Sequence, residues 1–433
     1  MKNIQLLLLC LLVISNSLFG QQPPAQQQTA SIVIHGAILH IGNGTVLTNN
    51  SLAIQDGKIV EIAPAERMVN SYDVSIDAKG QHLYPGFIAA NSTVGMVEID
   101  AVRPTNDLNE IGTFLPHIRT LIAYNSESKV VESLRPNGIL TAQVIPTRGR
   151  IAGSSSIVQL DAWNWEDASI KTDEGMHIYW PRTYRRGNIG KGEDPLVYDQ
   201  KQYDKNVAKL NDYLTKAKAS LQREATPKNL AFSALKNVFA GEQTLYLHAK
   251  EKRQILDGIA FLKTTGIKKI VLVGGDDAHL ALSTLKENDI PVILSRPHRL
   301  PNTVDEDVKL PFKMGKILLD AGLTVTIDVS GRMERMNTRN LPFYAGTFAA
   351  YGVEKEKAVQ MITLNAAKIL GIENRLGSLE VGKDATLFIS AGDALDMRTN
   401  QLSHAFIEGR SISLDTHQTS LWKRYTTKFD QKK

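Results

Sequence analysis

The sequence of 433 residues contains one cysteine, Cys10, which lies in an apolar segment near the amino terminus. We expect this segment to be removed, so the mature chain would contain no cysteine. That absence excludes disulfide bonds, thiolate catalysis and metal sites with cysteine ligands. It also suits a protein that works in an oxidising compartment.

Long apolar runs and clusters of like charge are scarce as well. The run Leu6–Ile14 is too short to cross a bilayer comfortably. The net charge is +5, and it falls to +4 without residues 1–20, whose only charged residue is Lys2. Basic residues are dispersed, apart from a small cluster at 182–186 and a lysine-rich carboxyl terminus. This pattern is typical of a solvated surface and predicts no nucleic acid partner.

The amino terminus has the pattern of a secretory leader. Lys2 precedes the apolar run Leu6–Ile14, small residues follow up to Gly20, and a polar stretch containing proline comes next. We therefore predict a signal peptide over residues 1–20 and a polar tether over 21–30. The mature protein is expected in the periplasm or outside the cell, without membrane insertion after cleavage.

Both ends of the remaining chain are rich in predicted strands. Apolar and polar residues alternate within 31–64, and Asp56-Gly57 is a hairpin turn. The stretch Leu83–Gly95 follows, in which a Pro-Gly turn leads into a short strand that ends in small polar residues. Near the other end, Leu376–Ile389 again reads as turn and strand.

These stretches resemble motifs of the amidohydrolase superfamily, in particular of imidazolonepropionase-like members. Pro85–Thr93 resembles the first barrel strand, which reads P-G-[LF]-I-D-x-H-x-H, and Leu376–Ile389 resembles the closing motif. The resemblance implies a (β/α)₈ TIM barrel over 85–373. It also implies a small β-sandwich domain formed by 31–84 and 374–415, with a basic tail over 416–433.

The intervening sequence alternates strand and helix patterns, as such a barrel requires. Helical periodicity predicts helices over 251–264 and 277–288, and 354–370 resembles the last barrel helix of the superfamily. The polar, lysine-rich segment 199–233 is predicted to be a helix-forming insertion on the barrel surface. The predicted strands are 138–146, 244–249, 269–275, 290–294 and 323–328.

Two further stretches, Glu98–Glu110 and Arg148–Ser156, resemble a narrower group of exported amidohydrolase-like proteins. The second is rich in glycine and serine. It is either a loop beside a ligand or a tight structural turn, and the sequence favours the turn slightly.

The resemblance implies a metal site, but the residues at its first position differ. Asn91 and Thr93 stand where the superfamily has two metal-binding histidines, and Ala89 replaces its aspartate. An asparagine carbonyl or a threonine hydroxyl is a poor zinc ligand beside neutral imidazole. His248, at the end of a predicted strand, occupies the context of the fifth-strand metal ligand; the alternative is a structural histidine.

Of the other two positions that the resemblance implies, the sixth-strand ligand is absent and the eighth-strand aspartate is present. Gly274 and Gly275 occupy the sixth-strand ligand point, and His279 lies about one helical turn beyond it. Asp328 ends a predicted strand where the superfamily has its catalytic aspartate, which transfers a proton from metal-bound water to the leaving nitrogen. The alternative role of Asp328 is a helix cap.

Three functions remain open from the sequence. The first is hydrolysis of carbon–nitrogen bonds other than peptide bonds, with an impaired metal site, using zinc if a metal is bound and no cofactor otherwise. The second is a secreted, catalytically inactive protein that binds a small molecule, as a homo-oligomer or in a complex with an active paralogue. Metal-independent hydrolysis in the same pocket is a third reading.

Overall fold

The computed structural model describes residues 22–431 except 69, 189, 191, 193, 195, 223–226, 304, 332 and 333. The predicted signal peptide lies outside the described residues. The described strands are β1 (Ile32–His40), β2 (Val46–Gln55), β3 (Lys58–Pro64), β4 (Val74–Asp77), β5 (His82–Pro85), β6 (Phe87–Ser92), β7 (Ile139–Val144), β8 (Ile151–Gln159), β9 (Ser169–Tyr179), β10 (Tyr184–Arg186), β11 (Leu196–Tyr198), β12 (Thr244–Ala249), β13 (Ile270–Gly274), β14 (Val292–Ser295), β15 (Val325–Asp328), β16 (Leu387–Ser390), β17 (Leu402–Ile407) and β18 (Arg410–Ser411).

The helices lie mainly between the later barrel strands and at the carboxyl end. The described α-helices are α1 (Lys129–Glu132), α2 (Trp165–Ala168), α3 (Gln200–Leu221), α4 (Leu230–Ser233), α5 (Lys236–Ala240), α6 (Lys252–Thr264), α7 (Leu282–Glu287), α8 (Leu310–Asp320), α9 (Glu334–Asn337), α10 (Leu341–Ala350), α11 (Lys355–Met361), α12 (Leu364–Leu370) and α13 (His417–Asp430). None of these helices has both the length and the apolar character that a membrane span requires.

The two chain ends meet in one β domain. Its sheet has the strand order β18-β17-β16-β5-β1-β2-β3, with β4 beside β1. The joint is the antiparallel pairing of β16 with β5, where Leu387 faces Pro85. Apolar residues from both ends, such as Ile34 and Leu387, share one buried cluster. Strands β16–β18 complete the sheet that β1–β5 begin, and both chain ends contribute apolar residues to its core.

The central part of the chain closes an eight-stranded barrel in the order β6-β7-β8-β9-β12-β13-β14-β15. A barrel with a β domain built from both chain ends confirms the predicted fold class. One strand differs from the expected pattern, because β8 runs antiparallel to both β7 and β9. The connection Ile145–Arg150 is too short for the helical crossover that a parallel neighbour would need.

Some local predictions were wrong in detail. The stretch Arg148–Ser156 contains a tight turn, with positive φ at Arg148 and Gly149, but from Ile151 onward it is strand β8. The predicted helix over 354–370 is two helices, α11 and α12, separated at Thr363. The predicted insertion over 199–233 contains α3, which buries Leu210 and Leu214 against the barrel's outer layer.

Candidate functional site

The carboxyl ends of the parallel strands converge at one mouth of the barrel, where active sites of such barrels lie. Asn91 is near the end of β6, His177 and Tyr179 are on β9, His248 is on β12, and Asp328 ends β15. Strand pairing sets their heights, since His248 lies beside Tyr179 and Asp328 lies beside Ala90. Asn91, His248 and Asp328, all named from the sequence, thus lie on strands of this barrel.

Asp328 is held by its neighbours through one oxygen. Asn91 Nδ2 donates to Asp328 Oδ1 at 2.9 Å and the backbone N–H of Ser330 donates to the same atom at 2.7 Å. Burial raises the pKa of the Asp328 carboxyl, and the hydrogen bonds from Asn91 and Ser330 oppose that rise. The carboxylate therefore closes a local turn with Ser330 rather than capping a described helix.

Asn91 is fully buried and has a φ of 52°. Asparagine tolerates this left-handed conformation better than most residues. Its side chain also donates to the Ser330 hydroxyl at 3.0 Å, and its backbone N–H donates to Gln143 Oε1 at 2.9 Å. Asn91 thus acts as a hydrogen-bond bridge between the first and the eighth barrel strands. Thr93 is also buried, in the turn after β6, where its carbonyl accepts from Met96.

His248 does not stand alone. Its Nε2 is 2.8 Å from Nδ1 of His177, so one imidazole donates to the other, and its ring stacks on Tyr179 with 4.0 Å between centroids. Burial lowers the pKa of His248 to about 3, with a further contribution from Lys250, and lowers the pKa of His177 as well. Both rings are consequently neutral near pH 7, the form in which imidazole binds metals.

His177 was missed by the sequence reasoning. It is fully buried, and its Nε2 has no hydrogen-bond partner in the described part of the chain. The available signal was a histidine near the end of an apolar run, Met176–Trp180, which is the same signal that identified His248. That run had not been assigned to a strand.

A buried polar layer lies beside the two histidines. Glu174 accepts from Gln143 Nε2 at 2.6 Å, from the Ser155 hydroxyl and from the Tyr246 hydroxyl at 2.9 Å. Burial raises the pKa of Glu174, whereas these hydrogen bonds lower it. Tyr246 in turn stacks on His177 with 4.7 Å between centroids. The layer fixes the ring of His177 through Tyr246.

A ligand side chain at the sixth-strand position would be strained and crowded. Gly274 has a φ of 96°, and a Cβ there would meet the carbonyl of Ala249 at 3.2 Å. His279 lies in the short 3₁₀ turn Ala278–Leu280, and no described hydrogen bond joins it to His248 or Asp328.

The donor set does not fit a normal zinc centre. Within the described residues, no group of three or more histidine, cysteine, aspartate or glutamate side chains is placed to hold a metal ion. A catalytic zinc usually has three protein ligands. His177 and His248 supply two imidazoles, and a hydrogen bond between them already engages one nitrogen of each. The pair therefore falls short of that number.

A cavity of about 310 Å³ adjoins the loops that follow β6 and β7. Its lining includes Asp107, His117, Pro146 and Ala152. The segment Glu98–Glu110, singled out in the sequence, therefore contributes to a concave surface on the mouth side of the barrel.

Comparison with known proteins gives consistent matches. The family model described as "Amidohydrolase family" matches residues 237–415. The 5'-deoxyadenosine deaminase of Methanosarcina barkeri is 22% identical over 390 residues, covering 83% of this chain and 82% of that enzyme. The imidazolonepropionase of Streptococcus pyogenes is 24% identical over 193 residues, which cover 40% of this chain and 44% of that enzyme.

The fold has a solved counterpart. The structure of an amidohydrolase from Thermotoga maritima superposes with a TM-score of 0.73 and 21% identity, covering 88% of this chain and 99% of that one. A likeness at this identity concerns the fold, and it includes both the barrel and the β domain.

Proposed function

This chain belongs to the amidohydrolase superfamily, and from that premise we propose that it hydrolyses carbon–nitrogen bonds, other than peptide bonds, in a small molecule bound at the barrel mouth. The observation that carries the proposal is the environment of Asp328. Its carboxylate ends a barrel strand at the mouth and is fixed through Oδ1 by Asn91 and Ser330. In the proposal, the carboxylate held in this way faces the water molecule and the substrate.

The residues support a simple division of roles. A carboxylate whose pKa is raised toward the working pH is a better general base than an ordinary one. In the proposed reaction Asp328 takes a proton as water oxygen adds to the carbon of the scissile bond. It returns that proton to the nitrogen as the carbon–nitrogen bond breaks. Asn91 orients the carboxylate. The neutral His248 hydrogen-bonds to the substrate or to the developing oxyanion through Nδ1, the ring nitrogen that does not contact His177.

We also propose that the metal site is impaired. Bound zinc would supply a Lewis acid for the attacking water, but the described donors fall short of a normal centre. Asn91 and Thr93 replace two imidazoles, and the positive φ of Gly274 would strain a third ligand side chain at that position. No step of the proposed reaction depends on the metal.

The alternative function is a catalytically inactive protein that binds a small molecule or supports an active paralogue. The contact between His248 and His177 favours it, because a nitrogen that hydrogen-bonds to a second imidazole is not open to a metal or a substrate. In that case the mouth would retain binding without turnover.

Two measurements separate these functions. The first is metal content of the purified mature protein by inductively coupled plasma mass spectrometry, before and after dialysis against chelator. The second is release of ammonia or amine from a panel of imidazolone, N-acyl and aminopurine compounds. We expect little metal after dialysis and slow turnover that persists without it.

The variant Asp328→Asn should reduce that turnover by about 100-fold or more, since it removes the base while keeping the shape. Asp212→Asn is the matched control, because Asp212 is an exposed helix residue paired with Lys216. Turnover unaffected by Asp328→Asn would exclude the proposed role. Absence of turnover on every compound, with ligand binding intact, would favour the inactive alternative.

A further inference from the structure

The basic tail predicted over 416–433 contains a helix whose apolar side chains are exposed. Helix α13 buries none of its residues, and the partly buried ones are two threonines, Thr419 and Thr426. Its large apolar side chains lie in water, with Trp422 68% exposed and Phe429 62% exposed. A surface helix normally turns its apolar side toward the core. In α13 the threonines take that place.

The exposed apolar residues of α13 form one stripe, which consists of Leu421, Trp422, Tyr425 and Phe429. Because an α-helix advances by about 100° per residue, these four positions fall within an arc of about 100° around the helix axis. Single apolar residues on a surface need no explanation, but a contiguous group of them marks a contact with another molecule or with a membrane.

Two basic residues border this apolar stripe. Around the helix axis, Lys428 is about 20° and Arg424 about 60° from Leu421, on the side away from Trp422. The guanidinium of Arg424 lies 5.9 Å from the centre of the Tyr425 ring. Among the described residues, no ion pair joins Arg424 or Lys428 to a carboxylate, whereas Lys423 pairs with Asp415 at 2.7 Å.

The start of α13 is fixed to the body of the protein. Thr416 forms a capping box with Thr419, and the backbone N–H of His417 donates to Glu132 Oε1 of α1 at 2.6 Å. Just before the helix, Ile412 and Leu414 pack in the main core. The apolar stripe therefore belongs to a helix that is anchored beside α1.

A second copy of this chain fits the apolar stripe poorly. A stable protein interface buries about 800 Å² on each partner, and four partly exposed side chains supply about half of that area. The helix also carries three basic residues, Lys423, Arg424 and Lys428, against one acidic residue, Asp430. Two such helices side by side would repel each other.

A lipid surface with anionic headgroups fits both the apolar stripe and its basic border. Tryptophan and tyrosine favour the boundary between headgroups and acyl chains, where an amphipathic helix lies in the plane of the surface. Lysine and arginine beside such a helix are attracted to anionic headgroups. The charges and the apolar residues of α13 thus point to the same kind of partner.

We propose that α13 binds the surface of a membrane that contains anionic lipids. Its apolar stripe lies at the headgroup boundary, and Arg424 and Lys428 lie against lipid phosphates. The binding is peripheral, because α13 lacks the length and apolar character of a membrane span. This inference does not depend on the proposed reaction.

The test is co-sedimentation of the mature protein with vesicles at low ionic strength. One set of vesicles contains phosphatidylcholine alone, and the other contains equal parts of phosphatidylcholine and phosphatidylglycerol. The apolar variant is Trp422→Gln, and its control is Met397→Gln in the β domain, since these side chains are 68% and 69% exposed. The charge variant is Lys428→Gln, and its control is Lys216→Gln on the exposed face of α3.

We expect the wild type to bind the mixed vesicles more tightly than the neutral ones. Trp422→Gln should weaken binding to the mixed vesicles by about tenfold or more. Lys428→Gln should weaken it by about fivefold, and both controls should leave it unchanged. Because the replaced side chains are exposed, all four variants should keep the melting temperature of the wild type.

Three results would overturn the inference. The first is no binding of the wild type to the mixed vesicles, and the second is equal binding by Trp422→Gln and Met397→Gln. The third is a lipid-free dimer in sedimentation equilibrium that Trp422→Gln converts to a monomer, because a second copy would then cover the stripe. None of these results would bear on carbon–nitrogen hydrolysis.

Discussion

Replacing Asp161 should destabilise the whole fold, because its carboxylate joins the barrel to the β domain. Asp161 lies just after β8. Its carboxylate accepts hydrogen bonds from the guanidinium of Arg135 at 3.0 Å, from that of Arg410 in β18 at 3.0 Å, and from the backbone N–H of Ala25. All three charged side chains are less than a tenth exposed. Burial lowers the pKa of Arg135, and the charge of Asp161 opposes that effect.

The magnitude follows from what Asp161→Asn leaves behind. Two buried guanidiniums lose their only shared carboxylate, and breaking a buried ion pair from one side typically costs about 3–5 kcal/mol. Asparagine keeps the size of the side chain, so a cavity adds little. We expect a loss of this order in the free energy of unfolding, measured by urea denaturation of the mature protein.

A second variant tests the electrostatic reason. Arg410→Met added to Asp161→Asn removes one uncompensated charge, so the double variant should be less destabilised than the sum of the two single changes. Asp212→Asn, at an exposed helix pair, should cost under about 1 kcal/mol. The reasoning is refuted if Asp161→Asn also costs under about 1 kcal/mol, or if the double variant is additive.

Four further predictions concern other parts of the chain. The pKa of His248 is about 3 in the folded chain and 6.5 in the unfolded chain, so its neutral ring contributes fully to stability above pH 6.5 and contributes less as the pH falls toward 3. His248→Gln should therefore reduce the loss of unfolding free energy between pH 6.5 and pH 3, measured by urea denaturation. The same pH dependence in the variant and the wild type would contradict this. Deleting the chain after Arg375 removes β16–β18 and should destabilise the amino-terminal strands, detectable as lost amide protection; protection equal to that of the full chain would count against it. Mass spectrometry of the secreted form should give a start near Gln21, whereas retention of residue 1 in the cytosol would exclude export. The double variant Asn91→His with Thr93→His should retain more zinc after dialysis than the wild type, but less than one zinc per chain, because the sixth strand supplies no histidine. Retention of one zinc per chain would show that the sixth-strand ligand is not needed.

The sequence alone determined the fold class and part of the site. The Pro-Gly entry to the first barrel strand and the Leu376–Ile389 stretch lie nearly 300 residues apart, and both resemble motifs of the amidohydrolase superfamily in the same order. His248 and Asp328 were identified because each lies at the end of a short apolar strand, in the context of a functional position of the superfamily, and parallel strands end at one side of a barrel.

Only the tertiary structure decided the neighbours of these residues. The contact between His177 and His248 depends on the register between β9 and β12, and these strands are separated by a long stretch of chain. The polar layer around Glu174 brings together side chains from four strands. Taken alone, each of these residues has the pattern of an ordinary strand residue. The direction of β8, in contrast, follows from the short connection Ile145–Arg150, and only the structure shows where that strand begins. Pairing between distant segments also depends on how the whole barrel closes, which the pattern of a single strand does not decide.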